Sequence, residues 1–431
     1  MSDITQFSKN FPLFLESIKR VIGEKQFAER QANAAQFYLS GGKSLYRDSD
    51  DLLFTYIINC MSTLENERYF YNPLEYSRIY PVILNLVNKW KFHTKITNFN
   101  RKLRTLCNTR ENNIDAVLFE ILTAFKYCEL GYSVEFIKET NVTSPDILIS
   151  KNNKSEYIEC KKLQRANDYS YNELDCWYKI SNLLLEQIKN MGLKGHFHFK
   201  FRIEIEKINA HTIVNAVMKK LKRRNVLKPI RICNTKICKL TYNPINKDKF
   251  NTPLDPLPHK DGTSLLNYLT GKYNYRYIYK LLCSPIFEEF YPYISEIQWA
   301  TVFSCQLASH VSLNNRVQSI KKHLAKASSQ LSSTHPGNIH ILIEEGQNAA
   351  LFEKKCITNR EIVENFFDRN GGVKHVFVHI AKHILPVNKQ YDVEETIQNF
   401  SRDGLKPVIM TSIWYPVDEM RPGYGTMLYE Y

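Results

Sequence analysis

The chain has 431 residues, 43% of them hydrophobic, enough to bury a sizeable core in two or three domains. Its 58 Lys and Arg against 44 Asp and Glu leave a net charge of +14, which points to a polyanionic partner, nucleic acid before membrane. No apolar run is long enough to span a bilayer, MSDITQFSKNF has no basic-then-apolar leader, and ten cysteines without framework spacing read as reduced thiols; these features argue against a membrane span and a disulfide scaffold, and a cytoplasmic location is expected.

Residues 1 to about 108 carry apolar side chains at three-to-four spacing and predict a helical N-terminal domain. GGKS at 41–44 interrupts the first run and lacks the leading Gly and four-residue spacer of a phosphate-binding loop. The stretch 87–106, VNKWKFHTKITNFNRKLRTL, mixes cations with Trp and Phe, a pattern of phosphate contact with aromatic support or of a solvated basic face. NNIDAVLFEILTAFKYCELG (112–131) predicts a helix with an Asn at its start and Gly131 at its end. YSVEFIKE (132–139) predicts a strand and SPDILISKNNKSEYIECKKL (144–163) a hairpin. A helix is expected at 176–192 and a strand at 196–207, with Phe197, Phe199, Phe201 and Ile203 on one face and His196, His198, Lys200 and Arg202 on the other. Residues 209–313 hold a helix ending in basic residues near 219–224 and a long Pro-, Asn- and Lys-rich loop at 243–262, and read as an insertion or accessory module. From 314 a regular rhythm returns: helix (314–331), strand (338–345), helix (359–371) and strands at 373–381 and 406–415. The sum is an α/β layout.

The hairpin holds the candidate chemistry. With Asn152 and Asn153 as its two turn residues, Asp146 falls directly opposite Glu159, with Cβ atoms roughly 5 Å apart. Side chains alternate along a strand, so Glu159 and Lys161 share one face while Ile158 and Cys160 take the other. Like charges facing each other destabilise a ladder; a divalent cation between them reverses the sign, and oxygen ligands of this kind suit Mg²⁺ or Mn²⁺.

Pro145-Asp146, Glu159 and Lys161, with Glu120 in the preceding helix, resemble the PD-(D/E)XK nuclease superfamily over residues 112–163. The resemblance implies a restriction-endonuclease-like mixed sheet core over 109–208, followed by the module at 209–313 and an α/β C-terminal part over 314–431 that either extends the core or completes it. It implies that Asp146, Glu159 and the backbone carbonyl of Cys160 hold Mg²⁺ (or Mn²⁺). Lys161 would orient or deprotonate the attacking water, and Glu120 would hold a ligand water or a second ion. The helix that returns after the Glu-x-Lys strand is either 173–191 or, if 166–313 is one large insertion, 316–331. In the second case Lys326 and Gln330, four apart, share a helical face. The expected activity is a metal-dependent endonuclease or exonuclease acting on DNA before RNA, and analogy suggests restriction or antiviral defence. The alternative is a non-catalytic nucleic-acid-binding subunit on the same fold; a third reading is a homo-oligomer or a subunit silent until a protein partner or ligand arrives. His196 and His198 could coordinate a metal from one strand face, though such residues are more often ordinary half-exposed strand positions; His375 with His379 and His383, and Cys233 with Cys238, lack the companions of a metal site.

Overall fold

The computed structural model describes residues 2–39, 51–64, 73–108, 114–138, 144–163, 168–222, 227–258, 262–274, 277–288, 293–316, 320–331, 336–345, 349–384, 392–406 and 408–416. GGKS at 41–44 and the cations Arg223 and Arg224 lie outside them. Helices α1 (Ser2–Ile22), α2 (Glu24–Leu39), α3 (Leu52–Leu64) and α4 (Pro73–Asn88) come first, then a short strand β1 (Ile96–Thr97) and α5 (Phe99–Asn108). Next are α6 (Ile114–Glu129), β2 (Ser133–Phe136) and the hairpin β3 (Ile147–Lys151) and β4 (Lys154–Lys162). Then follow α7 (Asp168–Asn190), β5 (Gly195–Phe201), α8 (Ala210–Leu221), β6 (Ile230–Asn234), β7 (Cys238–Pro244), α9 (Thr263–Thr270), β8 (Ile278–Phe287), β9 (Ile294–Leu307) and α10 (His310–Arg316). The last described elements are α11 (Lys321–Ser328), β10 (Gly337–Glu345), α12 (Ala349–Phe367), β11 (Val373–Ile384) and β12 (Asp392–Ser401).

The fold is α/β with two mixed sheets. The first has seven strands in the order β1-β2-β3-β4-β10-β11-β12, and the second has five in the order β6-β7-β5-β9-β8. The hairpin therefore continues into β10, parallel to β4, and not into β5. Within the stretch 109–208, α7 and β5 leave the hairpin's sheet, and residues from 320 onward complete it. The boundary expected at 208 falls inside the five-stranded sheet. Gly337 opens β10 where the strand meets β4 most closely; a Cβ there would run into the Tyr157 carbonyl.

One face of the seven-stranded sheet, with Val134, Ile149, Ile158 and Cys160, packs on the N-terminal helices and α6. The other, with Ile339, Ile341, Val376 and Val378, packs on Leu324 and Ala327 of α11 and Val363 of α12. A buried charge cluster ties the helices to the sheet. Arg78 of α4, its side chain 1% exposed, donates through Nε and Nη2 to Glu344 of β10 at 2.9 and 3.1 Å and pairs with Asp115 of α6. Lys162 joins the same two acids at 3.4 and 3.5 Å.

A second buried polar chain links Tyr127 of α6 to His340 of β10 (3.0 Å), His340 to His379 of β11 (3.0 Å) and His379 to Glu395 of β12 (2.8 Å). Glu395 also accepts the amides of Ile413, Trp414 and Tyr415 at 2.9–3.1 Å. Among the described residues of 406–415 the expected strand does not form: the amides of 413–415 serve a buried carboxylate, and β12, not read from the sequence, pairs antiparallel with β11 instead. A shorter correction concerns α7, which starts at Asp168, eight residues before the expected 176, taking in the polar stretch. Trp90 and Phe99 in the basic stretch 87–106 are buried and Lys89 and Lys102 pair with Glu129 and Glu120, while Lys91, Lys95 and Arg104 are exposed, so the stretch sets a solvated basic face over buried aromatics. Among the described residues no helix is long and apolar enough to cross a membrane.

The hairpin turn is as the sequence predicts. Asn152 and Asn153 have φ of 53° and 59°, and Lys151 pairs with Lys154. A left-handed backbone crowds a β-branched side chain, so Asn152→Val and Asn153→Val should each cost about 1–2 kcal/mol. Asn153→Gly should cost nothing; urea midpoints of the three variants test this.

Candidate active site

Ile147 pairs with Ile158, and the Asp146 amide donates to the Ile158 carbonyl at 3.1 Å, so the ladder carries Asp146 to the position opposite Glu159. There β3 ends. The Cys160 amide, left without a strand partner on that side, donates to Asp146 Oδ2 at 2.8 Å. Tyr157 and Leu163 direct their amides to the β10 side, bonding Pro336 and Leu342. Successive residues of a strand bond to opposite sides, so the Cys160 carbonyl faces Asp146 and not β10. Its thiol points into the α6 side of the core.

Glu159 points to the α11 side and is fully buried, 0% exposed. Its Oε1 pairs with Lys161, and its Oε2 has no hydrogen-bond partner. Lys161 Nζ also donates to Gln330 Oε1 at 2.9 Å, and Gln330 Nε2 donates to the Ser144 carbonyl at 3.0 Å. Gln330 follows α11, so the chain returning into β10 clamps the lysine from above. Gln330 thus reaches Lys161, whereas Lys326 on the same helical face is exposed. His323 of α11 is also close: burial, and after it the charge of Lys161, lowers its pKa.

Glu120 comes from α6 and pairs with Lys102 of α5, a lysine that sequence reasoning assigned only to a basic stretch. Burial, and next the charge of Asp146, push Glu120 up to about 8, against the pull of Lys102. Burial and then Asp146 push Glu159 up to about 9, against Lys161. Lys161 is half-buried, which lowers its pKa, yet Glu159 and Asp146 hold it above the usual lysine value. Three acids therefore feel one another's charge in a partly dry setting.

A buried carboxylate oxygen without a partner, beside a second carboxylate and a carbonyl aimed at the same side, fits a hard divalent cation. Among the described residues no three His, Cys, Asp or Glu side chains group as a metal site, so the remaining donors for such an ion are the Cys160 carbonyl and water. Four of the candidate histidines have structural partners, and the side chain of His383 lies outside the described ones. His375 meets Ser401 at 2.9 Å, His379 sits in the buried chain above, and His196 and His198 share the Ser304 hydroxyl. Cys233 and Cys238 bring their sulfurs to 3.4 Å on neighbouring strands. No family model matches the chain, and neither a curated protein nor a solved structure matches it.

Proposed function

We propose that this protein is a metal-dependent nuclease of the PD-(D/E)XK type, with a restriction-endonuclease-like core in its seven-stranded sheet. On this reading it hydrolyses phosphodiester bonds in DNA before RNA, in the cytoplasm, in the service of restriction or antiviral defence. The observation that carries the reading is the hairpin register: it sets Asp146 opposite a buried Glu159 that keeps one oxygen without a partner, with Lys161 on the same face. Asp146, Glu159 and the Cys160 carbonyl would hold Mg²⁺ (or Mn²⁺), which when bound supplies Lewis-acid charge at the phosphoryl oxygens and lowers the pKa of a water. Asp146 is held in place for this by the Cys160 amide. Lys161, steadied by Gln330, orients the attacking water and sets positive charge where the phosphoryl group gains negative charge. Glu120, high in pKa and paired with Lys102, holds a water at the margin of the site.

The test is incubation with plasmid, single-stranded DNA and RNA, in Mg²⁺, Mn²⁺ or EDTA. Cleavage in either metal and none in EDTA supports the reading. No cleavage of any of them, alone or with the protein's natural partners, hands the protein to the second reading, a non-catalytic nucleic-acid-binding subunit. That reading has its own support: Lys161 closes on Glu159, which offsets that acid's charge without an ion.

Metal binding itself should depend on pH. A proton on Glu159 competes with a cation, and burial, then the charge of Asp146, raises the pKa at which that proton leaves. Affinity for Mn²⁺ should therefore tighten between about pH 7 and 9, with proton release on binding. The same shift makes the metal-free protein lose stability as pH rises from about 4.5 towards 9, because the folded state binds the proton more tightly than the unfolded one. Calorimetric titration in buffers of different ionisation enthalpy reads the proton count; pH-independent affinity without proton release would count against Glu159 as a ligand.

A further inference from the structure

The positive charge is not spread over the chain. Residues 194–249 hold 15 Lys and Arg against 3 Asp and Glu, a net +12, while the rest of the chain holds 43 against 41. That segment spans β5, α8, β6 and β7, all belonging to the five-stranded sheet and its helical cover rather than to the sheet of the candidate site. A basic surplus without purpose has no reason to gather in one unit.

One face of the five-stranded sheet is closed. Phe197, Phe199 and Phe201 lie under Trp177 and Leu184 of α7 and Val217 of α8. Among the described residues the opposite face is covered at one end, where Val302 and Leu281 pack against Phe250 and Leu265. The strand registers define the rest. Thr241 pairs with Arg231 on one side and His198 on the other, His198 pairs with Ser304, and Ser304 pairs with Tyr279. In the next row Lys239 pairs with Lys200 and Lys200 with Gln306. Neither row contains an acid. Arg231 is exposed, and Lys200, Lys239, His198, Tyr277 and Tyr279 are half-buried.

The rings on this face are ordered. Tyr277 lies 4.6 Å from the His198 ring, and Tyr279 stacks on Tyr273 at 5.3 Å. Ser304 Oγ meets His196 Nε2 at 2.7 Å and His198 Nδ1 at 2.8 Å, which fixes both imidazoles. Burial, then the charges of Lys239 and Lys200, lowers the pKa of His198, so both lysines stand close to that ring. Flat, partly exposed rings beside acid-free cations are the two components of single-strand recognition: a phosphate on each cation and a base on each ring. A duplex keeps its bases stacked inside and offers them to no ring on a flat sheet.

We infer that the open face of the five-stranded sheet binds a single-stranded polynucleotide, with Lys200, Lys239 and Arg231 on phosphates and Tyr277 and His198 stacking on bases. The inference rests on the nucleic-acid partner proposed above but not on cleavage. DNA and RNA share this chemistry.

The experiment is fluorescence anisotropy of the full chain in EDTA with oligothymidylate, oligouridylate and a duplex, each of about 20 units, over a salt series. Either single strand should bind tighter than the duplex; which of the two binds tighter identifies the source. Lys200→Glu with Lys239→Glu should weaken single-strand binding by about 10-fold or more at low salt and flatten the slope of log K against log salt by about 1.4. Tyr277→Ala should weaken it by about 5- to 100-fold and leave the slope unchanged, while Tyr277→Phe keeps the affinity. Melting curves matching wild type show that the variants fold. Duplex bound as tightly as single strands, or wild-type affinity in both the lysine and Tyr277→Ala variants, overturns the inference. Binding to nothing at low salt overturns it together with the nucleic-acid partner. Single-strand binding lost in these variants, in a protein that cleaves nothing in any metal, sustains it and ends the nuclease reading alone.

Discussion

Asp146→Asn removes metal-dependent cleavage, lowering its rate on the order of 10²-fold or more, and leaves the fold intact. The carboxylate that would face phosphoryl charge through an ion is neutralised, so that stabilisation of the transition state is lost. The amide oxygen can still accept from the Cys160 amide, which Asp146 Oδ2 now does at 2.8 Å. Asp146→Ala is the less clean variant. It strands that amide at a cost of about 1 kcal/mol, partly returned by the relief of repulsion between Asp146 and Glu159. Lys161→Ala should abolish cleavage to a similar degree while the carboxylates still bind Mn²⁺. It also frees Gln330 Oε1 and exposes Glu159 to the full repulsion of Asp146. Cleavage rates in Mg²⁺ and melting temperatures in EDTA, for wild type and the three variants, decide the matter. Equal cleavage by wild type and Asp146→Asn would mean that the site lies elsewhere.

Arg78→Leu destabilises the protein by about 3–5 kcal/mol, the usual consequence of removing one partner from a buried ion cluster. Arg78 makes bonds to Glu344, Asp115 and the Tyr56 hydroxyl from a position 1% exposed. Without it the two buried acids lose the guanidinium they share and keep Lys162 at 3.4 and 3.5 Å. Arg78→Lys should recover little, because a point charge cannot reproduce the two-nitrogen contact with Glu344. Arg78→Leu with Glu344→Leu restores the balance of charge and should be more stable than Arg78→Leu alone. Denaturant midpoints test the series; a wild-type midpoint for Arg78→Leu would show that the cluster contributes nothing. The cluster joins α4, α6, β4 and β10, and Lys162 adjoins Lys161, so loosening it should also blunt whatever the site does.

The local design of the site was legible in the sequence. Two asparagines that tolerate positive φ set a two-residue turn, and strict alternation then fixed which residues face each other and which face they share. The α6 helix, closed by Gly131 at φ 81°, and the burial of Phe197, Phe199 and Phe201 on one face of β5 were legible for the same reason: each rests on chemistry within a few residues. Whether β5 or β10 lies beside the hairpin was not decided by such chemistry, since alternation names a strand's faces and not its neighbours. A partial signal exists. The near-continuous apolar run of β10 suits a central parallel strand covered on both faces, whereas the half-polar alternation of β5 suits a sheet covered on one. Tertiary structure decided that Gln330 and not Lys326 meets Lys161, across 169 residues, turned Lys102 from a basic stretch towards Glu120, and gathered His340, His379 and Glu395 into one buried chain. Each of these contacts joins elements distant in sequence, and a buried polar group takes whichever partner the packing supplies.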